Sequence, residues 1–202
     1  METGEGRPTL WVFGYGSLIW KPGFDFDESF PATVTGFSRR FYQGNVDFRG
    51  TESKPGRVAT LVPKEGGEAC GLLFRISGRD RIRKALEHLD WREIRNGYEY
   101  IVVEAKTTSE ATRDITVQAL TCNTTEKNPY YLGKTPLSRM GKQISKASGM
   151  AGANSDYVLD CAKYTRELFP HFEDKHVFNL EWRVLRSAAR HMSKSPKAKR
   201  KE

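Results

Sequence analysis

GLLFRISGRDRIRKALEHLDWREIRNGYEYIVVEA, residues 71–105, changes its hydrophobic period twice. Residues 71–76 read as a strand, followed by Ser77-Gly78. Ile82, Ala85, Leu86 and Leu89 then fall at i, i+3, i+4 and i+7, which gives one apolar face to a helix over residues 79–90. Ser77 or Asp80 would cap that helix. Asn96-Gly97 is a turn pair, and residues 98–105 return to strand.

Toward the N-terminus, residues 57–62 and 33–42 read as strands between Gly and Pro punctuation, and residues 21–31 as a loop. Residues 11–15 form a short apolar strand that ends in a tight turn at Gly14 and Gly16. Beyond residue 105, residues 115–122 are a further strand. Two helix faces follow, Tyr157, Cys161, Tyr164 and Leu168, then Val177, Leu180, Val184 and Ala188, with Pro170 between them. Strands fill the first two thirds and helices the last, with one helix inserted, and there is no internal repeat. The expected fold class is α+β: a curled, largely antiparallel sheet or small barrel covered by helices. A chain of 202 residues buries a real core. We expect one domain over residues 11–190, a flexible N-terminus at 1–10 and a basic, disordered tail at 191–202.

The formal charge of +8 raises the question of a nucleic-acid partner. Lys194, Lys197, Lys199, Arg200 and Lys201 against Glu202 put +4 of it in the last ten residues, leaving +4 for the rest. A Ser/Pro/Lys tail without interleaved aromatics reads as a solvated extension, and no specific nucleic acid is expected. No run of eighteen apolar residues exists, so no membrane span is expected. Residues 1–10 carry Glu2 and Glu5 and no apolar stretch, unlike a secretory signal. Cys70, Cys122 and Cys161 are odd in number, far apart and set in or beside apolar runs, which points to buried thiols in a reducing compartment, the cytosol.

Several chemistries fall away. His88, His171, His176 and His191 have no partner at metal-ligand spacing, and there is no C-x-x-C. Gly14-Tyr15-Gly16 lacks the third glycine of a dinucleotide fingerprint, and Ser17 lacks the glycine that completes a nucleophile elbow. Two segments remain. In WVFGYGSLIW, residues 11–20, a strand breaks into a turn whose consecutive N–H groups, from Tyr15 through Gly16 and Ser17 to Leu18, suit a carboxylate or carbonyl oxygen. The plainer reading is a turn whose glycines serve positive φ. In HLDWREIRNGY, residues 88–98, Glu93 sits at a helix end beside Trp91, Leu89 and Ile94. A solvated helix terminus is the plain reading here. A carboxyl in such partly apolar surroundings can also acquire a raised pKa and serve as acid and base.

These segments resemble the signature of the ChaC-type, glutathione-specific γ-glutamylcyclotransferases. The likeness continues in order through Ser38-Arg39-Arg40-Phe41 with Gln43-Gly44, Asp47-Phe48-Arg49-Gly50, and Lys54-Pro55-Gly56-Arg57-Val58. It goes on through Asp90-Trp91-Arg92-Glu93 before Gly97-Tyr98, Asn128-Pro129-Tyr130-Tyr131-Leu132-Gly133, and Ser148-Gly149 with Asn154 and Asp156-Tyr157. Trp91, the Ile94-Arg95-Asn96 link and Tyr130 depart from the usual pattern.

The resemblance implies a cofactor-free reaction on glutathione that releases 5-oxoproline and Cys-Gly. Glu93 would be the general acid and base. The N–H groups of Tyr15, Gly16, Ser17 and Leu18 would grip the γ-glutamyl group, and Tyr131 would line the pocket. Of the adjacent Arg39 and Arg40, at most one can face a substrate carboxylate, and Arg40 is the candidate. Arg57 and Arg92 are further charge-pair candidates. The rival readings are a cyclotransferase for γ-glutamyl amino acids or γ-glutamylamines, against which Leu18-Ile19-Trp20 argues, and a non-catalytic binding module on the same fold, against which Glu93 argues.

Overall fold

The computed structural model describes residues 7–108 and 114–192, with the backbone alone for residues 188–192. β1 (Thr9–Gly14), β2 (Glu28–Asn45), β3 (Gly56–Ser77), β4 (Glu99–Thr107) and β5 (Thr116–Asn123) close into a barrel in the order β1-β3-β2-β4-β5. Every neighbouring pair is antiparallel except β1 and β5, which meet in parallel at Val12 and Leu120. Closure removes the exposed edges that an open sheet would leave. Side chains reinforce this seam: Thr121 Oγ1 donates to the Phe13 carbonyl (2.7 Å) and Tyr15 Oη to the Cys122 carbonyl (2.7 Å). Along β4 the alternation is plain, with Val103 and Ala105 buried and Val102 turned outward. Phe13, Phe41, Leu61, Leu73, Phe74 and Ile76 fill the interior.

The α+β barrel flanked by helices is thus the architecture expected. α1 (Arg79–Arg92) crosses from β3 to β4 and buries Ala85 and Leu89. α2 (Leu137–Ile144), α3 (Asn154–Leu168) and α4 (Lys175–Met192) form a helical layer, with α2 and α3 packed on α4 and α3 also on β3. Pro170 lies in the break between α3 and α4, and all three cysteines are buried and free. Ala188 of the expected α4 face lies where only the backbone is described.

Four details differ from the expectation. The strands at 57–62 and 71–76 are one strand, β3, because Pro63 pairs within the ladder and the Gly66-Gly67 segment forms a bulge rather than a break. Residues 64–67 lie between the pairs Phe37↔Pro63 and Thr35↔Glu68, opposite Gly36 alone. The loop after residue 20 is shorter, since β2 begins at Glu28 and Pro31 pairs within it. α1 is capped by neither Ser77 nor Asp80: Ser77 ends β3 and Gly78 holds the cap position without a side-chain bond. Finally, α2 and the hairpin β6 (Ser148–Gly149) and β7 (Gly152–Ala153) were not anticipated. Of the terminal segments, residues 1–6 and 193–202 lie outside the described residues; β1 begins at Thr9 and α4 runs to Met192.

Candidate active site

The end of β1 and the end of α1 meet at the mouth of the barrel. After Gly14 the chain leaves the sheet and makes a single 3-10 turn at Ser17–Ile19, where Ile19 and Trp20 N–H groups donate to the Gly16 and Ser17 carbonyls. The first N–H groups of such a turn have no partner inside it. Neither Gly14 nor Gly16 adopts positive φ, so the conformational reason entertained above does not hold. Gly16 is required by proximity: a Cβ there would stand 2.7 Å from the Tyr157 hydroxyl. The turn is anchored on both sides. Leu18 and Ile19 are buried, and the Trp20 ring stacks on Tyr164 at 5.6 Å and meets Tyr157 edge-on. From below, the fully buried Arg39 donates to the Tyr15 carbonyl (2.9 Å), to Thr165 Oγ1 (2.7 Å) and to Asp174 Oδ2 (3.0 Å).

Glu93 is the cap residue of α1, its N–H donating to the Leu89 carbonyl (2.8 Å). Its own carbonyl accepts from the N–H groups of Asn96 (3.0 Å) and Tyr98 (3.2 Å), which closes the 3-10 turn Ile94–Asn96. Gly97 leaves that turn in the left-handed region, φ 77°, a conformation that favours glycine. Asn128 Nδ2 secures the turn through the Asn96 (3.1 Å) and Gly97 (2.8 Å) carbonyls. The backbone around Glu93 is thereby fixed before the side chain is considered.

Arg92 joins the two segments. Its Nε lies 3.0 Å from Glu93 Oε1, its Nη2 donates to Ser17 Oγ (2.6 Å) and its Nη1 to the Lys21 carbonyl (2.5 Å). The Glu93 side chain is only 18% exposed. Burial raises its pKa above the ordinary carboxylate value, and the neighbouring Arg92 offsets only part of that rise. Tyr15, Tyr98 and Tyr157 stand around it, each phenol pushed upward first by burial and further by the Glu93 charge, so all three stay protonated. Tyr98 Oη donates to the Ala59 carbonyl (2.8 Å), and the Ala59 N–H donates to Tyr157 Oη (3.2 Å).

Two connected spaces result. An inner recess of about 40 Å³ is bounded by Tyr15, Gly16, Ser17, Leu18 and Glu93 together with Tyr98 and Tyr157. A wider cleft of about 450 Å³ lies outside it, and Ser17, Glu93, Tyr98 and Tyr157 belong to both. A largely buried carboxyl of raised pKa, a 3-10 turn whose first amides have no partner within it and protonated phenols around one recess suit a substrate that bears a carboxylate and exchanges a proton.

Of the residues singled out from the sequence, Glu93, Tyr15, Gly16, Ser17 and Leu18 share this recess. Tyr131 and Arg40 are elsewhere. Tyr131 packs edge-on against Tyr42 and bridges to Gln43, and Arg40 gives its guanidinium to the Arg39 carbonyl (2.8 Å). Arg57 is committed to Gln143 Oε1 and to the carbonyls of Phe41 and Gly133. Arg92, a charge-pair candidate from the sequence, pairs with Glu93; Tyr98, Tyr157 and Asn128 were not singled out and give no signal beyond their place in the motif blocks quoted above. Among the described residues no cluster of metal-ligating side chains is found.

A family model described as ChaC-like protein matches residues 10–187. The chain is 40% identical over 174 residues to Gamma-glutamylcyclotransferase 2-3 of Arabidopsis thaliana, covering 85% of this chain and 86% of that protein. It is 38% identical over 199 residues to the Glutathione-specific gamma-glutamylcyclotransferase of Schizosaccharomyces pombe, covering 91% and 96%. To the human Glutathione-specific gamma-glutamylcyclotransferase 1 it is 36% identical over 175 residues, covering 86% and 78%. The fold matches the crystal structure of a yeast γ-glutamylcyclotransferase specific to glutathione with a TM-score of 0.81 at 24% identity, covering 90% of this chain and 97% of that one. With the family model spanning nearly all of the described chain and these relatives matching most of their length, the protein belongs to the ChaC-like family.

Proposed function

We propose that the protein is a glutathione-specific γ-glutamylcyclotransferase that converts glutathione to 5-oxoproline and Cys-Gly, with Glu93 as general acid and base. The observation that carries this reading is one largely buried carboxyl of raised pKa lining a recess together with residues 15–18. The named relatives support the substrate.

In the reaction the α-amine of the γ-glutamyl group attacks its own γ-carbonyl carbon. A new C–N bond closes the five-membered lactam, and the bond from that carbon to the cysteinyl nitrogen breaks. Glu93 takes two protons in turn, one from the ammonium before attack and one from the attacking nitrogen once the C–N bond has formed. It returns the first to the departing nitrogen as its bond breaks and the second to the released amine, so atoms balance without water. Nucleophile and electrophile share one molecule, and holding the folded conformer is worth roughly 7–11 kcal/mol. The proton relay contributes about 10²–10⁴-fold. The amides of the 3-10 turn stabilise the γ-glutamyl carboxylate and the developing oxyanion. Tyr98 and Tyr157 wall off the recess and keep Glu93 out of bulk water.

The expected substrate profile tests the assignment. Reduced glutathione should be turned over with a kcat/KM at least about tenfold above γ-Glu-Ala and γ-glutamyl-lysine, measured by 5-oxoproline release. Equal values on all three would leave only the broad cyclotransferase class. None of the described helices is long and apolar enough to cross a membrane.

A further inference from the structure

The outer cleft is far larger than a γ-glutamyl group needs, and its far wall has a distinct construction. The segment after β2 and the β6–β7 hairpin are zipped together by the Met150 N–H on the Asp47 carbonyl (3.0 Å) and the Ala151 N–H on the Phe48 carbonyl (2.9 Å). The Arg49 backbone is pinned by Asn45 Oδ1, which accepts its N–H at 2.6 Å. The two motif blocks that the recess leaves unused, Asp47-Phe48-Arg49-Gly50 and Ser148-Gly149 with its neighbours, therefore build one surface opposite Glu93.

That surface carries a cation. Arg49 lines the cleft, half-buried, with Nη1 donating to the Ala153 carbonyl (3.0 Å) and its guanidinium over the Tyr157 ring at 5.9 Å. Among the described residues it forms no ion pair; Asp160 of α3 feels its charge from a greater distance. Of the other arginines considered for substrate carboxylates, Arg39, Arg40 and Arg57 do not line this cleft, and Arg92, which does, is paired with Glu93 and bonded to Ser17. Beside Arg49 the same cleft has exposed apolar side chains, Trp91 at 52% and Met150 at 73%, with Phe48 edge-on to Trp91 at 5.8 Å. Among the described residues nothing covers the outer faces of Trp91 and Met150.

Resting on the reaction proposed above, we infer that Arg49 and the Phe48–Trp91–Met150 wall form the subsite for the Cys-Gly half of glutathione, with Arg49 pairing with the glycine carboxylate. The γ-glutamyl end occupies the recess at Glu93 and the cysteinyl side chain lies on the apolar wall. The terminal carboxylate reaches the one cleft arginine whose charge is unspent. This makes Arg49 a specificity residue, since a γ-glutamyl α-amino acid carries its carboxylate one carbon from the scissile nitrogen and a simple γ-glutamylamine carries none. Binding of this kind is made equally in ground and transition states, so its loss raises KM and spares kcat.

The test compares wild type and Arg49→Gln on glutathione and on glutathione with its glycine carboxylate amidated, with thermal melting as the folding control. Wild type should show a KM roughly ten- to a hundredfold higher for the amide, with kcat little changed, the loss expected for one charge-assisted pair. Arg49→Gln should show the same rise on glutathione itself and no further rise on the amide. A folded Arg49→Gln with unchanged KM overturns the inference, as does a full amidation penalty that persists in the variant. If Arg49→Gln does not fold, an unpenalised amide in wild type overturns it on its own. Absence of 5-oxoproline from wild type with glutathione identifies instead a failure of the reaction assignment.

Discussion

Glu93→Gln is expected to lower kcat for 5-oxoproline release by at least about 10²-fold while the protein stays folded. The amide keeps the size of the side chain and an oxygen for Arg92 Nε, which lies 3.0 Å from the native carboxylate, but it cannot take up the ammonium proton. Stability should move the other way. A carboxyl whose folded pKa is raised binds its proton more tightly in the native state than in the unfolded one. Its contribution to stability therefore falls as pH rises from the unfolded value through the folded value. Wherever Glu93 is ionised its burial is a burden to the fold, and there the glutamine variant should melt no lower than wild type. The same shift predicts that wild-type turnover declines on acidification through a pKa above the ordinary carboxylate value. Glu87→Gln and Asp90→Asn serve as controls, because Glu87 pairs with Arg83 and Asp90 accepts from Tyr100 on the exposed side of α1. A folded Glu93→Gln with near-normal kcat would contradict the mechanism.

The second large effect is on the fold. Arg39 is 1% exposed and bonded to Asp174, Thr165 and the Tyr15 carbonyl, while Asp174 also accepts the Val177 N–H (3.0 Å) at the start of α4. Arg39→Met removes the cation and leaves a buried carboxylate and a buried carbonyl without it. Breaking such a pair costs about 3–5 kcal/mol. A melting temperature lower by roughly ten degrees or more is expected, read by calorimetry. The double variant Arg39→Met/Asp174→Leu should recover part of the loss, because no unpaired charge remains. A single variant within about 1 kcal/mol of wild type would show that the network does not hold the turn to the helical layer.

How far the sequence reached follows from what each feature depends on. The helix over residues 79–90 and the strand after Gly97 depend on local period and a left-handed glycine, and both stand as expected. The barrel's closing pair, Val12 with Leu120, depends on residues more than a hundred positions apart and leaves no local trace. α2 did carry a signal, Pro136 followed by Leu137, Met140 and Ile144, but Gly141 in its middle masks it. That glycine serves tertiary contact, since a Cβ there would meet Arg183 Cβ at 2.9 Å. At the site, the glycine turn and Glu93 were singled out because each lies in a contiguous segment that the family resemblance picks out; residue context alone left a plain turn and a solvated helix end as readings. The arginines were not distinguishable: Arg39, Arg40, Arg57, Arg92 and Arg49 differ only in where their guanidinium groups end up, which burial and partners decide.

The most direct test of the central claim is to run the reaction on glutathione in heavy-oxygen water and identify every product by mass. Intramolecular attack at Glu93 predicts equimolar 5-oxoproline and Cys-Gly, no solvent oxygen in the lactam, no free glutamate, and loss of all turnover above background in Glu93→Gln. Glutamate carrying solvent oxygen would mean that water, not the substrate's own amine, attacks the γ-carbonyl, and would contradict the account.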